Sequence, residues 1–327
     1  MPRKYKPRSG SMAFYPRKKA SSIIPKFNVC SSKDNNDVKP LLFYGIKVGM
    51  TDIIAKNAHK GSSSYGQDIS IPVSLIETPD LRIIGGRLYK SNSSVNGKNV
   101  VSEIIQYDSS IQKRIKGKKS KSTKTIDDFL KKSSQADDLV LICAIDFKKT
   151  GAQQKTPVIV EVPLSGVYEK KIEYLKNKFG KKIAIEETFK QEQYVDVKAV
   201  TKGHGTTGPV KRFGIKTQRP KVQQRERAVG SIGPWHPATI MYTVARPGQH
   251  GFQNRVAYNK KIIMLGSDDS LVNKKGGFKN YGLIKNKYLM VAGSIPGTSK
   301  RIVAIRDATR SNVRNSLELT DISHISK

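Results

Sequence analysis

The stretch TKGHGTTGPVKRFG, residues 201–214, places Gly203, Gly205 and Gly208 at the spacing G-x-G-x-x-G. Glycines so spaced can cradle a pyrophosphate, because amides unshielded by a Cβ approach the anion and a following helix N-terminus faces it. That chemistry needs a strand before the glycines, a helix directly after, and a carboxylate about twenty residues on for the ribose hydroxyl. YVDVKAVT supplies the strand. No helical apolar period follows it. Gly214 and Pro220 come quickly, and Glu226 lies in QQRERA without a second strand to present it. No nucleotide cofactor is expected. The glycines are read as positions of close backbone approach or positive φ. They serve a tight turn, a sugar-phosphate contact, or both, with Lys202, Lys211 and Arg212 beside them as neutralising charges.

The other candidates for chemistry give little. His204, His236 and His250 share the same basic region, whereas His59 and His324 lie apart. Metal ligation wants paired spacing or a supporting carboxylate, and the region offers only Glu226. Hydrogen bonding or stacking on RNA is the better reading, and no metal is expected. The acid pairs Asp127-Asp128, Asp137-Asp138 and Asp268-Asp269 begin a helix, a strand and a turn, and read as solvated capping groups. No nucleophile elbow or Cys/His dyad signature occurs, so no catalytic residue is assigned. Cys30 and Cys143 lack metal spacing and read as small apolar residues in a reducing compartment. Trp235, the only tryptophan, sits in GPWHP among prolines and glycines. An exposed tip of that kind suits stacking on a base or insertion into an RNA crevice.

Charge sets the context for these groups. The 327 residues hold 60 Lys or Arg against 26 Asp or Glu, a formal net charge of +34. Like charges repel in a compact chain, so the balance implies a polyanionic partner, with nucleic acid ahead of a membrane surface. Met1–Lys26 carries eight Lys or Arg and no acid, and is expected to order only when neutralised. Its prolines and lack of an apolar run argue against a secretory signal or a transit helix. LVLICAI at 139–145 is too short to span a bilayer. A cytoplasmic protein is expected.

The elements that position these groups read as mostly β: an antiparallel β-barrel core, an inserted α/β subdomain, and a long irregular basic tail and extension. Residues 1–39 form the tail and linker, 40–90 the first part of the barrel, 91–190 the insertion, and 191–201 a barrel strand. The extension occupies 202–261 and holds thirteen Lys or Arg with one acid if counted from Lys198. Residues 262–310 complete the barrel, and 311–327 form a C-terminal tail. Within the insertion, Thr125 and Asp128 make a capping box for a short helix. Tyr168, Ile172, Leu175 and Phe179 recur at helical spacing ahead of a Gly180 stop. The basic run at 111–124 is compatible equally with an RNA-touching loop and a solvated linker.

Phe189, Asp196, Ala199 and Thr201, then Gly203-His204-Gly205, Gly208 and Arg212, match at full spacing the signature of the universal large-subunit ribosomal protein L-three family. PRSGSMAFYPRK (7–18) resembles the tail motif of its archaeal and eukaryotic members. YGIKVGMTD (44–52) is similar to their first barrel strand, and residues 232–262 to their long internal loop. Asp52 departs from a common His, Phe213 from a common Trp, and SSIIP from a longer basic run. The resemblance implies a barrel on the solvent side of the ribosome, with tail and extension entering rRNA toward the peptidyl-transferase centre. It implies rRNA and neighbouring large-subunit proteins as partners, a structural part in subunit assembly and translation, and neither cofactor nor small-molecule substrate. Phosphate contacts then fall to Arg3, Lys4, Arg8, Arg17, Lys18 and Lys19 in the tail. In the extension they fall to Lys202, Lys211, Arg212, Lys216, Arg219, Lys221, Arg225, Arg227, Arg246, Arg255, Lys260 and Lys261. Gly203 and Gly205 admit the RNA backbone, and Trp235, His236, Gln249 and His250 are further RNA-facing groups. Two other readings compete: an RNA-modifying or nucleotide-dependent enzyme using the glycine loop, and a basic DNA binder of the chromatin type.

Overall fold

A computed structural model describes residues 10–28, 37–92, 97–112, 126–222, 226–267, 269–310 and 319–325. The calls on Arg3, Lys4, Arg8, Cys30, Thr125, Arg225 and Asp268, and on most of the 111–124 run, lie outside them. The strands before residue 150 are β1 (Leu42–Asn57), β2 (Asp68–Glu77), β3 (Leu81–Asn92), β4 (Gly97–Ile105) and β5 (Asp138–Ile145). Helices α1 (Ser109–Gln112) and α2 (Ile126–Lys131) precede β5. There follow β6 (Val158–Pro163), α3 (Tyr168–Lys178), β7 (Lys182–Ile183), β8 (Tyr194–Val200), β9 (Gly203–Thr207) and α4 (Pro209–Phe213). The chain closes with β10 (Gly248–Gly251), β11 (Asn254–Gly266), β12 (Tyr288–Ala292), β13 (Ile302–Asp307) and β14 (Leu319–Ile325). Among the described residues, no helix is long and apolar enough to cross a membrane.

The chain divides into two compact units: Met1–Ile23 with Val200–Arg255, and Ile24–Ala199 with Val256–Lys327. The second unit is built on a sheet ordered β13-β8-β11-β12-β2-β1, and β1 also pairs β13, so the ladder returns to its start and closes. The β1–β13, β1–β2, β2–β12, β12–β11 and β13–β8 pairs of the ring are antiparallel. Glu192 and Gln193 bond across to Ile262, which extends the β8–β11 pairing beyond the strand ends. Strand β1 makes closure possible because it is long enough to take three partners. Leu42–Ile46 pairs β13, Ile46–Lys56 pairs β2, and Ile53–Asn57 pairs β14. A register shift between Lys47 and Gly49 lets it turn from one neighbour to the next. Its first half is buried throughout, and the second half alternates as one face meets solvent.

A second sheet, ordered β4-β3-β5-β6 with β7 beside β3, carries α3. Helix α3 follows the predicted period and ends before Gly180, whose φ is +75°. Leu175 of that helix sits where a Cβ on Gly86 would meet it at 2.8 Å, so the small residue sets the helix-to-sheet distance. The interiors of both sheets merge into one buried cluster that includes Phe43, Leu75, Leu141, Val160 and Leu289.

Four expectations require correction. Residues 81–90, grouped by sequence with the first barrel strands, pair with β4 and β5 in the second sheet. Branched residues identify a strand but not its partner, and the Thr78-Pro79-Asp80 link redirects the chain. Residues 311–327, read as a tail, contribute β14, an edge strand whose sparse apolar positions obscure its period. The extension does not run to residue 261, since β11 begins at Asn254. Asp138 is no solvated cap. Its carboxylate binds Lys171 and Lys98 at 2.9 Å each, and the Lys171 side chain is 4% exposed. Burial raises the Asp138 pKa, but the hydrogen bonds and charges of the two lysines outweigh it and hold the carboxyl below its ordinary value.

Candidate nucleic-acid interface

The first unit is assembled around the opening glycines. Gly203 and Gly205 lie inside β9, which pairs with β10 to form a two-stranded ribbon. Between Gln249 and Gly251 the register slips, and Gly251 takes a φ of +72°. A Cβ there would lie 2.0 Å from the Lys202 carbonyl, so only glycine fits the crossing. Gly205, at φ +65°, faces open space. The close approach of protein backbones therefore falls at Gly251, which the sequence reading did not single out, while a Cβ at Gly205 would meet nothing within 4 Å.

A helix does follow the glycines, contrary to expectation. Helix α4 has Pro209 in its first turn and ends at Gly214, which is left-handed at φ 65°. Five residues are too few to display a period; only Pro209 and Phe213, one turn apart, are buried. Gly203 and Gly205 stand within β9 and Gly208 is the N-cap of α4, so two of the three glycines lie outside the strand-to-helix turn that a dinucleotide loop needs.

Arginines hold this unit together. Arg212 donates through Nε to the Gln249 carbonyl at 3.0 Å and through Nη1 to the Arg246 carbonyl at 2.9 Å. The Arg17 guanidinium lies 4.2 Å from the centre of the Phe213 ring and donates to the Arg212 carbonyl. Arg255 stacks over Phe14 at 4.4 Å, and the Ala20 amide bonds the Phe252 carbonyl at 2.8 Å. The tail is thus already pinned to the ribbon within the protein, from Ser11, which caps a short turn at Met12–Phe14, to Ala20. Burial, followed by the charge of Arg17, lowers the pKa of both Arg212 and Arg255, the expected result of crowding cations without acids.

The remaining sequence candidates separate by exposure. Lys18, Lys19, Lys202, Lys211, Lys216, Arg219, Lys221, Arg227 and Arg246 are exposed. Residues 230–242 are exposed throughout, and Trp235 at 88% is among the most accessible apolar side chains. His236 packs edge-on to it, with centroids 6.3 Å apart. Arg17, Arg212, Gln249 and His250 are partly buried, consistent with their internal bonds. Lys261 is corrected: it is 6% exposed and pairs with Glu192 at 3.8 Å, whereas Lys260, in the same β11 segment of the second unit, is half-buried. A lysine at a strand end looks alike in sequence whether it points inward or outward.

Electrostatics distinguish the two units. By sequence the first unit holds seventeen Lys or Arg and a single acid, Glu226. Among the described residues every ion pair falls in the second unit. Two concavities mark the first unit. One, of about 500 Å³, lies between the tail and the ribbon and includes Phe14, Arg17, Lys202, His204, Gln253 and Arg255. The other, of about 430 Å³, is walled by Lys18, Arg246, Met241 and Tyr242. His204 was read from sequence as an RNA-facing histidine, whereas Gln253 and Phe14 were not among the sequence candidates. Their signal is tertiary, because the tail must fold back over the ribbon before they share a wall.

Asp196, part of the quoted signature, proves to be structural. It is wholly buried and accepts from Arg306 at 3.1 Å and from the Asn259 amide at 3.1 Å, joining β8, β11 and β13.

A family model described as Ribosomal protein L3 matches residues 1–326. Among curated relatives, the large ribosomal subunit protein uL3 of Methanococcoides burtonii is 38% identical, over 100% of this chain and 98% of the relative. That of Methanosphaera stadtmanae is 37% identical over 100% and 98%. That of Archaeoglobus fulgidus is 35% identical over 94% and 92%.

Proposed function

This chain belongs to the ribosomal protein L3 family, and from that premise we propose that it is a structural rRNA-binding protein of the large ribosomal subunit. The family is not one of enzymes. Its first unit enters rRNA toward the peptidyl-transferase centre and supports subunit assembly there. One observation carries this reading: seventeen cations and one acid in a unit that, among the described residues, forms no ion pair of its own. Repulsion among those charges is relieved by polyphosphate. Lys18, Lys19, Lys202, Lys211, Lys216, Arg219, Lys221, Arg227 and Arg246 make the phosphate contacts, joined by Arg3, Lys4, Arg8 and Arg225. Gly203 and Gly205 leave the ribbon open to the RNA backbone, and Trp235 with His236 stacks on a base. Arg17, Arg212, Gln249 and Arg255 chiefly hold the scaffold that presents these groups. The test is the affinity of the chain for a large-subunit rRNA fragment as salt is raised. Thirteen phosphate contacts predict a log–log slope of about −9 for single-stranded RNA. An affinity independent of salt would contradict the reading.

A further inference from the structure

The cavity between tail and ribbon has a chemistry more specific than surface charge. Its wall carries Arg17, Lys202 and Arg255 but no carboxylate. His204 and His250 also line it, with ring centroids 5.0 Å apart. Gln253 adds a direction. Its Oε1 accepts from Arg255 Nη2 at 3.1 Å, which leaves Nε2 as a donor. That buried Nε2 has no hydrogen-bond partner among the described residues. A buried donor left unmatched is destabilising, so the group that completes this cavity is an acceptor. Cations around an unmatched donor specify an acceptor that is also an anion, and the oxygens of a phosphodiester meet both conditions.

We propose that the cavity seats one RNA phosphate between Lys202, Gln253 Nε2 and a protonated His250, with His204 beside it, so that RNA binding by this unit takes up a proton. This rests on the rRNA-binding reading above. His250 sits at the register slip of β10. It is faced by His204 from β9, Lys211 and Arg212 from α4, and Arg17 from the tail, with Lys202 and Arg255 on the same wall. Burial first, then the charges of His204, Lys211, Arg17 and Arg212, hold its pKa below the ordinary histidine value. A phosphate at hydrogen-bond distance reverses the balance, because an adjacent negative charge favours the imidazolium. Linkage then requires affinity to rise as pH falls, by at most about tenfold per pH unit for each proton taken up.

The full chain is titrated with a fluorescent large-subunit rRNA fragment from pH 7.5 to 5.5 at constant ionic strength. The wild type is compared with the double variant His204→Gln, His250→Gln, and histidine ring resonances of the wild type are followed with and without RNA. Tightening of about fivefold or more is expected in the wild type, with most of that pH dependence lost in the double variant. The His250 resonance should titrate at higher pH in the complex. Equal pH slopes in the two proteins, or a His250 pKa unchanged in a complex that forms, would overturn the proposal. Salt-dependent binding with a flat pH profile defeats this inference alone. Absence of rRNA binding at every pH defeats it together with the functional reading.

Discussion

Glu77 organises a loop from inside the second unit. It is fully buried, and Oε1 accepts from the Lys285 amide at 3.1 Å and from the Asn286 amide and side chain at 3.0 and 2.7 Å. Oε2 accepts from the Tyr281 hydroxyl. Burial, and then the Glu77 charge and this bond, push the Tyr281 pKa far up, so the phenol remains a donor at any working pH. Removing the carboxylate strands four donors in the interior. Glu77→Ala should lower the unfolding free energy by about 3–5 kcal/mol, and Glu77→Gln by about half of that. Denaturant midpoints at constant m-value check both. Asp196 works in the same manner for three strands, which gives one member of the family signature a folding role.

At the scale of the element, the ribbon of β9 and β10 depends on one left-handed residue. In Gly251→Ala the new methyl meets the Lys202 carbonyl, and the residue is strained at its φ, so the crossing must open. The local penalty is about 1–3 kcal/mol. Amide exchange at Phe252, whose N–H bonds the Lys202 carbonyl at 3.2 Å, should accelerate strongly while exchange in β1 and β2 stays unchanged. Equal acceleration in the sheets would show that the ribbon does not open by itself. The opposite behaviour belongs to the segment around Trp235. Its side chain supports no core, so Trp235→Ala should leave the unfolding transition within about 0.5 kcal/mol of wild type. Loss of one stacked base predicts weaker binding to a large-subunit rRNA fragment by about 1–3 kcal/mol. A loss of cooperative unfolding would mean the ring packs inside the protein.

The molecule as a whole is basic in both units but, among the described residues, pairs its charges in only one of them. The second balances its acids locally, through pairs such as Lys171 with Asp138 and Arg87 with Glu103 and Glu161. The first holds its cations by stacking and carbonyl bonds, which fix geometry without cancelling charge. A stable fold and an unneutralised surface can therefore coexist in one chain. Lys216, Arg219 and Lys221 are exposed in that first unit. Replacing all three with Gln should reduce the magnitude of the salt slope of rRNA binding by about 2. The thermal midpoint should stay level or rise slightly as repulsion falls. An unchanged slope would remove these three from the set of phosphate contacts.

Charge, the period of α3, strands such as β1, β2, β5, β6, β8, β12 and β13, and the accessibility of Trp235 were legible in residue order, because each depends on local composition or spacing. Strands β4, β7 and β14 were not, and neither was partner choice. Strand β3 and edge strand β14 carry the same local signals whichever sheet receives them, and a long β1 with a mid-strand register shift decides closure only when its neighbours arrive. Side-chain direction was also hidden, which is why Lys261 looked like a phosphate contact and Asp138 like a cap. Close backbone approach was expected at the glycines of 203–208, but a Cβ at Gly205 or Gly208 would meet nothing within 4 Å. Only the fold could show that Gly251, some forty residues on, is where two backbones cross, and that the cavity beside it needs the tail as its second wall.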